Sequence, residues 1–383
     1  MYRNIKGTKD ILPNDTIHWR NVENIIHNFM SVHGYGEIRT PIFEDKNLFI
    51  RSIGEHTDVV SKEIYSWTDQ GGVELALRPE LTAPVVRSYI QNQLGAKQPL
   101  NRLYYIDSLF RRERPQKGRQ RQFHQFGIEA LGSEHPEQDA EVISMAYKIF
   151  NALGIKDLIV DINSIGSPEI RSNYLNSLRN SLENFCENFC ENCKNRIDQN
   201  ALRLFDCKNP NCQNILTNHA PLIFDFISND DNKHFEEILK ILTKMNIPFS
   251  HNKNLVRGLD YYTRTTFEIK SSALGAQNAL CGGGRYDKLV EELGGKNTPA
   301  IGFAAGLERL FIAIGSENHD YEYTLTDIYF ITLGEQAISI GMNLAESIRE
   351  KKGIRVTVET LRRSIKAQMR EANRLGAQFV VIL

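Results

Sequence analysis

The sequence predicts an α+β fold, in which helices pack on an antiparallel β-sheet. Strand-like runs outnumber helical ones in the N-terminal part of the chain, and neighbouring runs are spaced like the two strands of a hairpin. The composition is that of an ordinary globular protein, with 41% hydrophobic and 24% charged residues. A chain of 383 residues is long enough for about two or three domains.

The predicted elements begin with an amphipathic helix at Asn14–His33, where apolar residues recur at helical spacing. The next run, Glu37–Glu44, is strand-like, but its Pro41 indicates a sheet edge or an interface. A second helix is expected from Pro136 to Leu153. Further strands are predicted at Glu74–Arg78, Leu103–Phe110, Phe123–Leu131 and Leu158–Ile162.

The chain divides into four blocks. Residues 1–168 form the first part of a sheet-rich domain, residues 169–250 form a mainly helical insertion, and residues 251–318 resume the sheet. Residues 326–383 alternate strand and helix as βαβαβ, which indicates a small parallel α/β domain. This last block stops at a hydrophobic strand, so we expect the α/β domain to be incomplete.

The charge and the motifs of the sequence exclude several classes of protein and of nucleotide-binding site. The net charge of −1 gives no global nucleic-acid signature, so any RNA-binding surface must be local. The sequence has no apolar run of about 20 residues and no signal-peptide core, so we expect a cytoplasmic protein that does not contact membranes. P-loop and Rossmann strings are absent, so a bound nucleotide would be held by side chains on a sheet.

The segment Leu255–Ile269, LVRGLDYYTRTTFEI, resembles a strand that forms one wall of a binding site. Alternation predicts that Tyr261 and Tyr262 point to opposite faces. Arg257 keeps its charge, so it must be paired with an anion. That anion is either the carboxylate of Asp260 or a phosphate or carboxylate of a ligand.

The segment Phe110–Gln125 combines six cations with a single carboxylate, that of Glu113. A strand leads in, Pro115 and Gly118 make a turn, and a strand leads out. Such a loop suits phosphate contacts, although a solvated charged hairpin is the alternative. The cations are Arg111, Arg112, Arg114, Lys117, Arg119 and Arg121.

Three shorter segments have a functional and a structural interpretation each. In Ala300–Leu310, Arg309 could lie along a nucleotide, or the small residues could simply pack a helix. The triple glycine of Leu280–Leu289 predicts a turn that either approaches a ligand or makes a bend. Glu80 and Thr82 form either a clamp for an ammonium group or a turn with a cap.

Four cysteines have the spacing of a structural zinc site. Cys190 and Cys193 form C-x-x-C, and Cys207 and Cys212 form a looser C-x₄-C. Four thiolates would leave no open coordination position. Reduced thiols in a helical hairpin are the alternative.

Five strings together resemble one family over essentially the whole chain, from Lys6–Pro13 to the C-terminal block. The strings EIRTPIFE, FRRERPQKGRQRQFHQFGIE and AIGFAAGLERL resemble the three signature motifs of class II aminoacyl-tRNA synthetases. LVRGLDYYTRTTFEI and ALCGGGRYDKLV resemble the two histidine-specific signatures of histidyl-tRNA synthetases. The resemblance implies a six-stranded antiparallel catalytic sheet, a helical insertion, a C-terminal anticodon-binding domain, and a homodimer formed partly by Glu37–Glu44.

The resemblance also implies a two-step ligase reaction. L-Histidine would attack the α-phosphate of ATP, supplied with Mg²⁺, to give histidyl-adenylate and pyrophosphate, and the 3′ end of tRNA(His) would then take the histidine. Arg111 would hold the α-phosphate, Arg309 would contact the adenine and γ-phosphate, and Arg257 would act as a second cation at the α-phosphate. Asp260 would orient Arg257. Glu113 and Arg119 complete the implied ATP site.

The remaining implied roles concern histidine and tRNA. Glu80, Thr82 and Gln125 would bind the ammonium and carboxylate of histidine. Glu129, Tyr262 and Tyr286 would read its imidazole, with Tyr261 and Arg257 beside them. The residues expected to meet tRNA are Arg114, Gln116, Lys117, Arg119 and Arg121, with Gln116 reading the extra 5′ nucleotide.

The sequence alone is compatible with two other functions. The first is a non-catalytic paralogue, such as a regulatory subunit of ATP phosphoribosyltransferase or an RNA sensor. Such proteins lose catalytic positions, whereas Arg111, Gln125, Arg257, Tyr262 and Arg309 are all present. The second is a general RNA-binding module, which the near-zero net charge and the histidine signatures disfavour.

Overall fold

The computed structural model describes residues 2–54, 57, 59–257, 259, 261–274, 279–315 and 326–383. The chain forms two compact units, Met1–Ser316 and Glu317–Leu383. None of the helices in the described ranges is both long and apolar enough to cross a membrane.

The strands in the described residues belong to three sheets, two in the first unit and one in the second. In chain order the strands are β1 (Gly36–Glu37), β2 (Phe43–Asp45), β3 (Ser66–Thr68), β4 (Glu74–Leu77), β5 (Asn101–Phe110), β6 (Gln122–Leu131), β7 (Leu158–Ser164), β8 (Phe249–His251), β9 (Thr263–Ser271), β10 (Ala279–Arg285), β11 (Ala300–Gly306), β12 (Ile328–Ile331), β13 (Val356–Val358) and β14 (Phe379–Ile382).

The helices lie mainly between these strands. In chain order they are α1 (Pro13–Val32), α2 (Lys46–Ile53), α3 (Thr82–Gln91), α4 (Leu94–Lys97), α5 (Pro136–Ala152), α6 (Pro168–Leu182), α7 (Glu191–Gln199), α8 (Pro210–His219), α9 (Asn229–Lys244), α10 (Leu289–Glu292), α11 (Leu307–Ile314), α12 (Glu335–Lys352) and α13 (Ile365–Arg374).

The largest sheet has eight strands in the order β1-β5-β6-β11-β10-β9-β7-β8. The six inner strands, β5, β6, β11, β10, β9 and β7, all pair antiparallel with their neighbours. The two edge strands, β1 and β8, pair in parallel with β5 and β7. This confirms the predicted α+β class with an antiparallel sheet, and it adds one short parallel strand at each edge.

The two faces of this sheet differ in character because side chains alternate along each strand. On β6, Phe126, Ile128 and Ala130 belong to the main hydrophobic core, together with buried residues of α1, α5 and α9. Gln125 and Glu129 point to the opposite face and line a cavity. One face therefore holds the fold together and the other presents polar groups.

The prediction of a single strand at Glu37–Glu44 was wrong. β1 pairs with β5 in the large sheet, whereas β2 pairs with β4 in a separate three-stranded sheet. The link between them contains Pro41, which has no N–H for a ladder. The carbonyl oxygens of Thr40 and Pro41 instead accept hydrogen bonds of 2.7 and 3.2 Å from the buried guanidinium of Arg78.

The segment between β7 and β8 contains α6 to α9 and short 3₁₀ turns, one of them at Ala201–Asp206. The buried apolar residues of α6 and α8 form a cluster with Tyr261, Tyr262 and Tyr286. The second unit has the order β12-α12-β13-α13-β14, and its three strands pair in parallel. This is the βαβαβ arrangement that the sequence predicts for residues 326–383.

Candidate active site

A cavity of about 440 Å³ opens on the polar face of the large sheet. It brings together side chains from β6, β10 and β11, from the segment before β9, and from the loop between β5 and β6. The lining includes every residue that the sequence assigns to ATP or histidine: Glu80, Thr82, Arg111, Glu113, Arg119, Gln125, Glu129, Arg257, Tyr261, Tyr262, Tyr286 and Arg309.

Glu129 is the hydrogen-bonding centre of one part of the cavity. It is 1% exposed, and its carboxylate accepts hydrogen bonds from the hydroxyls of Thr82 at 2.8 Å, Tyr105 at 3.2 Å and Tyr286. Burial raises the pKa of Glu129 to about 8, against the lowering effect of these hydrogen bonds. The group is therefore poised near neutral pH between an acceptor and a donor of hydrogen bonds.

Glu80 and Thr82 lie at the start of α3. The two carboxylate oxygens of Glu80 accept the backbone N–H groups of Thr82 at 2.7 Å and Ala83 at 2.9 Å. These contacts match the capping interpretation of the pair. Burial also raises the pKa of Glu80. Since both residues line the cavity as well, the helix cap fixes a carboxylate at its wall.

Tyr261 and Tyr262 both line the cavity, so the prediction that they point to opposite faces was wrong. The reason is that strand β9 begins only at Thr263, and the period of two does not apply before it. The ring of Tyr261 lies 4.7 Å from that of Tyr262 and 5.8 Å from that of Tyr286. We call Glu80, Thr82, Tyr105, Glu129, Tyr261, Tyr262 and Tyr286 the tyrosine–glutamate cluster.

Arg257 lies beside this cluster. Its guanidinium forms an ion pair with Glu268 and stands 5.9 Å from the centre of the Tyr262 ring. Asp260, the pairing partner weighed from the sequence, lies outside the described residues. Glu268 is thus the carboxylate that accompanies Arg257, and both groups face the cavity.

The triple glycine is the middle of strand β10, so the prediction of a turn there was wrong. A Cβ at Gly282 would lie 2.3 Å from Cζ of Arg257, and a Cβ at Gly284 would lie 2.9 Å from Cδ1 of Tyr262. The glycines therefore leave the space that these two side chains occupy.

A second group of side chains, the arginine cluster, consists of Arg111, Arg119 and Arg309 with Glu113. Nη1 of Arg119 lies 3.0 Å from Glu113, and Nη1 of Arg111 lies 3.9 Å from it. Burial and the nearby cation of Arg119 lower the pKa of Arg309. Cations that crowd around one carboxylate make a site suited to a polyanion.

The predicted tRNA residues lie on the loop between β5 and β6. Arg114, Gln116, Lys117 and Arg119 are exposed, and Gln116 and Arg119 bridge across the turn. Arg121 differs, because it is half-buried and its side chain packs closely against Gly7. A Cβ added at Gly7 would lie only 2.8 Å from Cγ of Arg121. Of these residues, Arg119 also lines the cavity.

Several cavity residues were not assigned to the site from the sequence, among them Tyr105, Glu268 and Arg203. The register of the β5–β6 hairpin pairs Tyr105 with Gly127, two positions from Glu129, so strand alternation could have found Tyr105. Alternation along β9 places Glu268 on the same side as Thr266. Arg203 comes from the helical insertion, and no local pattern of the sequence indicates its position.

The cysteine quartet lies in the same insertion. The Sγ atoms of Cys190, Cys193, Cys207 and Cys212 all lie within 4.8 Å of one another. Of the six cysteines in the chain, Cys186 and Cys281 are not part of this group.

Comparisons with known proteins agree with this architecture. The family model described as histidyl-tRNA synthetase matches residues 7–180 and 214–310. A histidine–tRNA ligase of Natranaerobius thermophilus is 45% identical over 99% of this chain and 90% of its own length. One from Clostridioides difficile is 44% identical over the same shares.

The chain belongs to the histidyl-tRNA synthetase family. Among solved structures, apo histidyl-tRNA synthetase of S. aureus is similar at 38% identity with a TM-score of 0.82, covering 100% of this chain and 91% of that one. A Bacillus halodurans chain titled as an ATP phosphoribosyltransferase regulatory subunit/histidyl-tRNA synthetase shares the fold at 22% identity and a TM-score of 0.71, over 100% and 98%. The motifs that suggested histidyl-tRNA synthetases from the sequence therefore identified the family correctly.

Proposed function

We propose that this member of the family is a histidine–tRNA ligase that uses ATP and Mg²⁺. It activates L-histidine to histidyl-adenylate with release of pyrophosphate, and it then transfers histidine to the 3′ end of tRNA(His). The observation that carries the proposal is one cavity in which the buried tyrosine–glutamate cluster and the arginine cluster lie side by side. The first suits an imidazole and the second suits a triphosphate.

The tyrosine–glutamate cluster would recognise histidine. A neutral imidazole offers one N–H donor and one nitrogen acceptor, and Glu129 with the hydroxyls of Tyr262 and Tyr286 can satisfy both. An analogue without these groups would leave the buried Glu129 and its neighbours unpaired, which makes the site selective. Glu80, Thr82 and Gln125 would hold the ammonium and carboxylate groups.

The arginine cluster and Arg257 would carry the first step. The carboxylate oxygen of histidine forms a bond to the α-phosphorus of ATP, and the bond from that phosphorus to the pyrophosphate oxygen breaks. Arg111 and Arg257 would stabilise the charge on the α-phosphate, and Arg309 would hold the adenine and γ-phosphate. This chemistry needs positioned cations and no protein nucleophile.

Mg²⁺ would enter with ATP and neutralise charge on its phosphates. Carboxylate oxygens suit this ion, and two carboxylates lie near the expected phosphates: Glu113 within the arginine cluster and Glu268 beside Arg257. Arg119 would share the contact with ATP.

The exposed loop would meet the acceptor end of tRNA. Arg114, Gln116 and Lys117 project from the loop that also brings Arg119 to the cavity, so a strand bound to them would end near the reacting atoms. Arg121, half-buried against Gly7, would support the loop and contact the backbone only with its outer part. Residues 326–383 would provide the anticodon-binding domain.

A homodimer would cover apolar side chains near the predicted interface strand. Ile42, Phe43 and Trp67 are 46%, 53% and 41% exposed. The rings of Phe43 and Trp67 lie 6.2 Å apart and belong to the two outer strands of the small sheet, on either side of β4. Exposed apolar patches of this kind mark association surfaces. ATP and tRNA as substrates favour the cytoplasmic location expected from the sequence.

The test is histidine-dependent exchange of pyrophosphate into ATP by the purified chain, followed by charging of tRNA(His). Exchange that requires histidine, and that other amino acids do not support, would establish the first step. Histidine binding without exchange would overturn the ligase and favour the regulatory paralogue. Exchange without charging would confine the activity to the activation step.

A further inference from the structure

The cysteine quartet of the insertion has the dimensions of a metal site. The Sγ atoms of Cys190 and Cys207 are 3.8 Å apart, and all four Sγ atoms lie within 4.8 Å of one another. A tetrahedral zinc ion with Zn–S bonds of about 2.3 Å places its sulfurs about 3.8 Å apart. A disulfide needs an S–S distance of about 2.05 Å, so the four sulfurs surround a common point and do not form two bonded pairs.

The four thiols form two pairs, one at the start of α7 and one at the start of α8. Cys190 precedes α7 and Cys193 lies in its first turn, whereas Cys207 follows the 3₁₀ turn and Cys212 lies in the first turn of α8. Both helices thus direct their positive N-terminal ends toward the sulfurs, which favours thiolates.

Backbone N–H groups contact the sulfurs as they do around metal-bound thiolates. The N–H of Cys190 lies 3.3 Å from Sγ of Cys212, and that of Asn209 lies 3.4 Å from Sγ of Cys207. Such donors orient the ligands and stabilise their charge. Cys193 and Cys212 are fully buried, so the centre of the quartet is shielded from solvent.

The segment held by these thiols forms part of the cavity wall. The 3₁₀ turn Ala201–Asp206 ends directly at Cys207, and its Arg203 lines the cavity. Arg257 lines the same cavity as Arg203. A link between Cys190, Cys193 and the end of this turn therefore fixes side chains near the expected α-phosphate.

We propose that Cys190, Cys193, Cys207 and Cys212 bind one structural zinc ion, which holds the 201–206 turn in place at the wall of the active-site cavity. Four thiolates leave no position for a substrate, so the ion takes no part in the reaction itself. Its role is to fold the insertion next to Arg257, as structural zinc commonly stabilises segments with little core of their own.

The first experiment is elemental analysis of the full chain purified without chelators. Wild type should hold about one zinc per chain, and Cys190→Ser and Cys212→Ser should hold almost none. Cys186→Ser is the matched control, because Cys186 lies in the same insertion, outside the quartet, with its Sγ near the carbonyl oxygen of Leu182. It should keep the zinc.

The second experiment uses wild type alone, so it remains decisive where a serine variant fails to fold. Titration of the thiols with p-hydroxymercuribenzoate, followed with a zinc indicator, should release one zinc ion in step with four thiols. Cobalt(II) added to the reduced, zinc-depleted protein should give the absorption of a tetrahedral thiolate complex. Absence of zinc as purified, together with no binding of zinc or cobalt, would overturn the site. Iron in its place would overturn the choice of zinc.

The third measurement separates this proposal from the ligase itself. Zinc-depleted wild type should lose histidine-dependent exchange in the presence of excess Mg²⁺ and regain it on addition of zinc. A depleted protein with undiminished exchange would refute the link to the cavity wall. No exchange by the protein that carries its zinc would refute the proposed ligase activity, and the metal site would still stand.

Discussion

Replacement of Arg257 by alanine tests the assignment of a phosphate-binding cation most directly. The guanidinium lies over Gly282, pairs with Glu268 and faces the cavity. Arg257→Ala removes this cation and leaves the cavity open at that point. We expect the rate of histidine-dependent exchange to fall steeply while histidine binding stays largely intact, because the tyrosine–glutamate cluster keeps its own hydrogen bonds.

Two independent estimates give a similar size for the loss of exchange rate in Arg257→Ala. Loss of one preorganised donor to a developing charge typically lowers the rate by about 10²–10³, or about 3–4 kcal/mol. A unit charge at about 4 Å contributes about 4 kcal/mol at the effective dielectric of a protein surface. Removal of Arg257 also leaves the carboxylate of Glu268 in the cavity without this cation, so we expect a loss near the upper end of this range.

The assay is steady-state pyrophosphate exchange at saturating ATP, with histidine affinity measured separately by calorimetry. Arg264→Gln is the matched control. Arg264 lies on β9 and pairs with Asp231 at 2.9 Å, but it does not line the cavity. Its replacement also breaks an arginine–carboxylate pair, so exchange should remain close to wild type.

Two results would refute the reasoning. Equal losses of exchange and of histidine affinity in Arg257→Ala would make Arg257 a structural partner of Glu268. A loss in Arg264→Gln as large as that in Arg257→Ala would show that exchange responds to any broken ion pair of this region, without a specific phosphate contact.

Three further predictions concern the sheet, the buried carboxylate and the dimer. A Cβ at Gly302 would lie 2.0 Å from Oε2 of Glu129. Gly302→Ala should therefore lower the free energy of unfolding, measured with urea, by about 1–3 kcal/mol, and it should weaken histidine binding. Gly306→Ala is the control and should show little change, because the nearest atom to a Cβ there lies at 4.0 Å. The folded state raises the pKa of Glu129 to about 8, so its protonated form is favoured and the unfolding free energy should decline as pH rises from about 4.3 to about 8, by up to about 5 kcal/mol. Glu129→Gln should flatten that part of the profile, and an unchanged slope would contradict the raised pKa. Phe43→Asp should shift the sedimentation of the protein to that of a monomer, whereas Phe379→Asp, at a residue 65% exposed in the second unit, should not.

The sequence predicted the residues assigned to ATP and histidine, but it missed other residues of the cavity and did not predict the arrangement of the tyrosines. The resemblance of the motifs assigned Arg111, Glu129 and Arg309 to one site. The hairpin of β5 and β6 carries Glu129 and leads into Arg111, whereas Arg309 joins them through the pairing of β6 with β11, which is distant in the sequence. The mutual position of Tyr261 and Tyr262 could not be predicted, because it depends on where β9 begins, and hydrogen bonding to β7 and β10 decides that. Arg203 could not be found for a similar reason, since its place depends on how a whole helical insertion packs.

The glycines of the sheet show why local signals misled at the centre of the site. Glycine weakens a strand, so three in succession predicted a turn. In the structure, a Cβ at Gly127 would clash with the hydroxyl of Tyr105, at Gly302 with Glu129, at Gly282 with Arg257 and at Gly284 with Tyr262. Each of these glycines has low β-propensity but leaves room for one side chain of the cavity. A conflict between local preference and the observed strand is expected where a fold accommodates a binding site. Here all four side chains that need the space line the cavity.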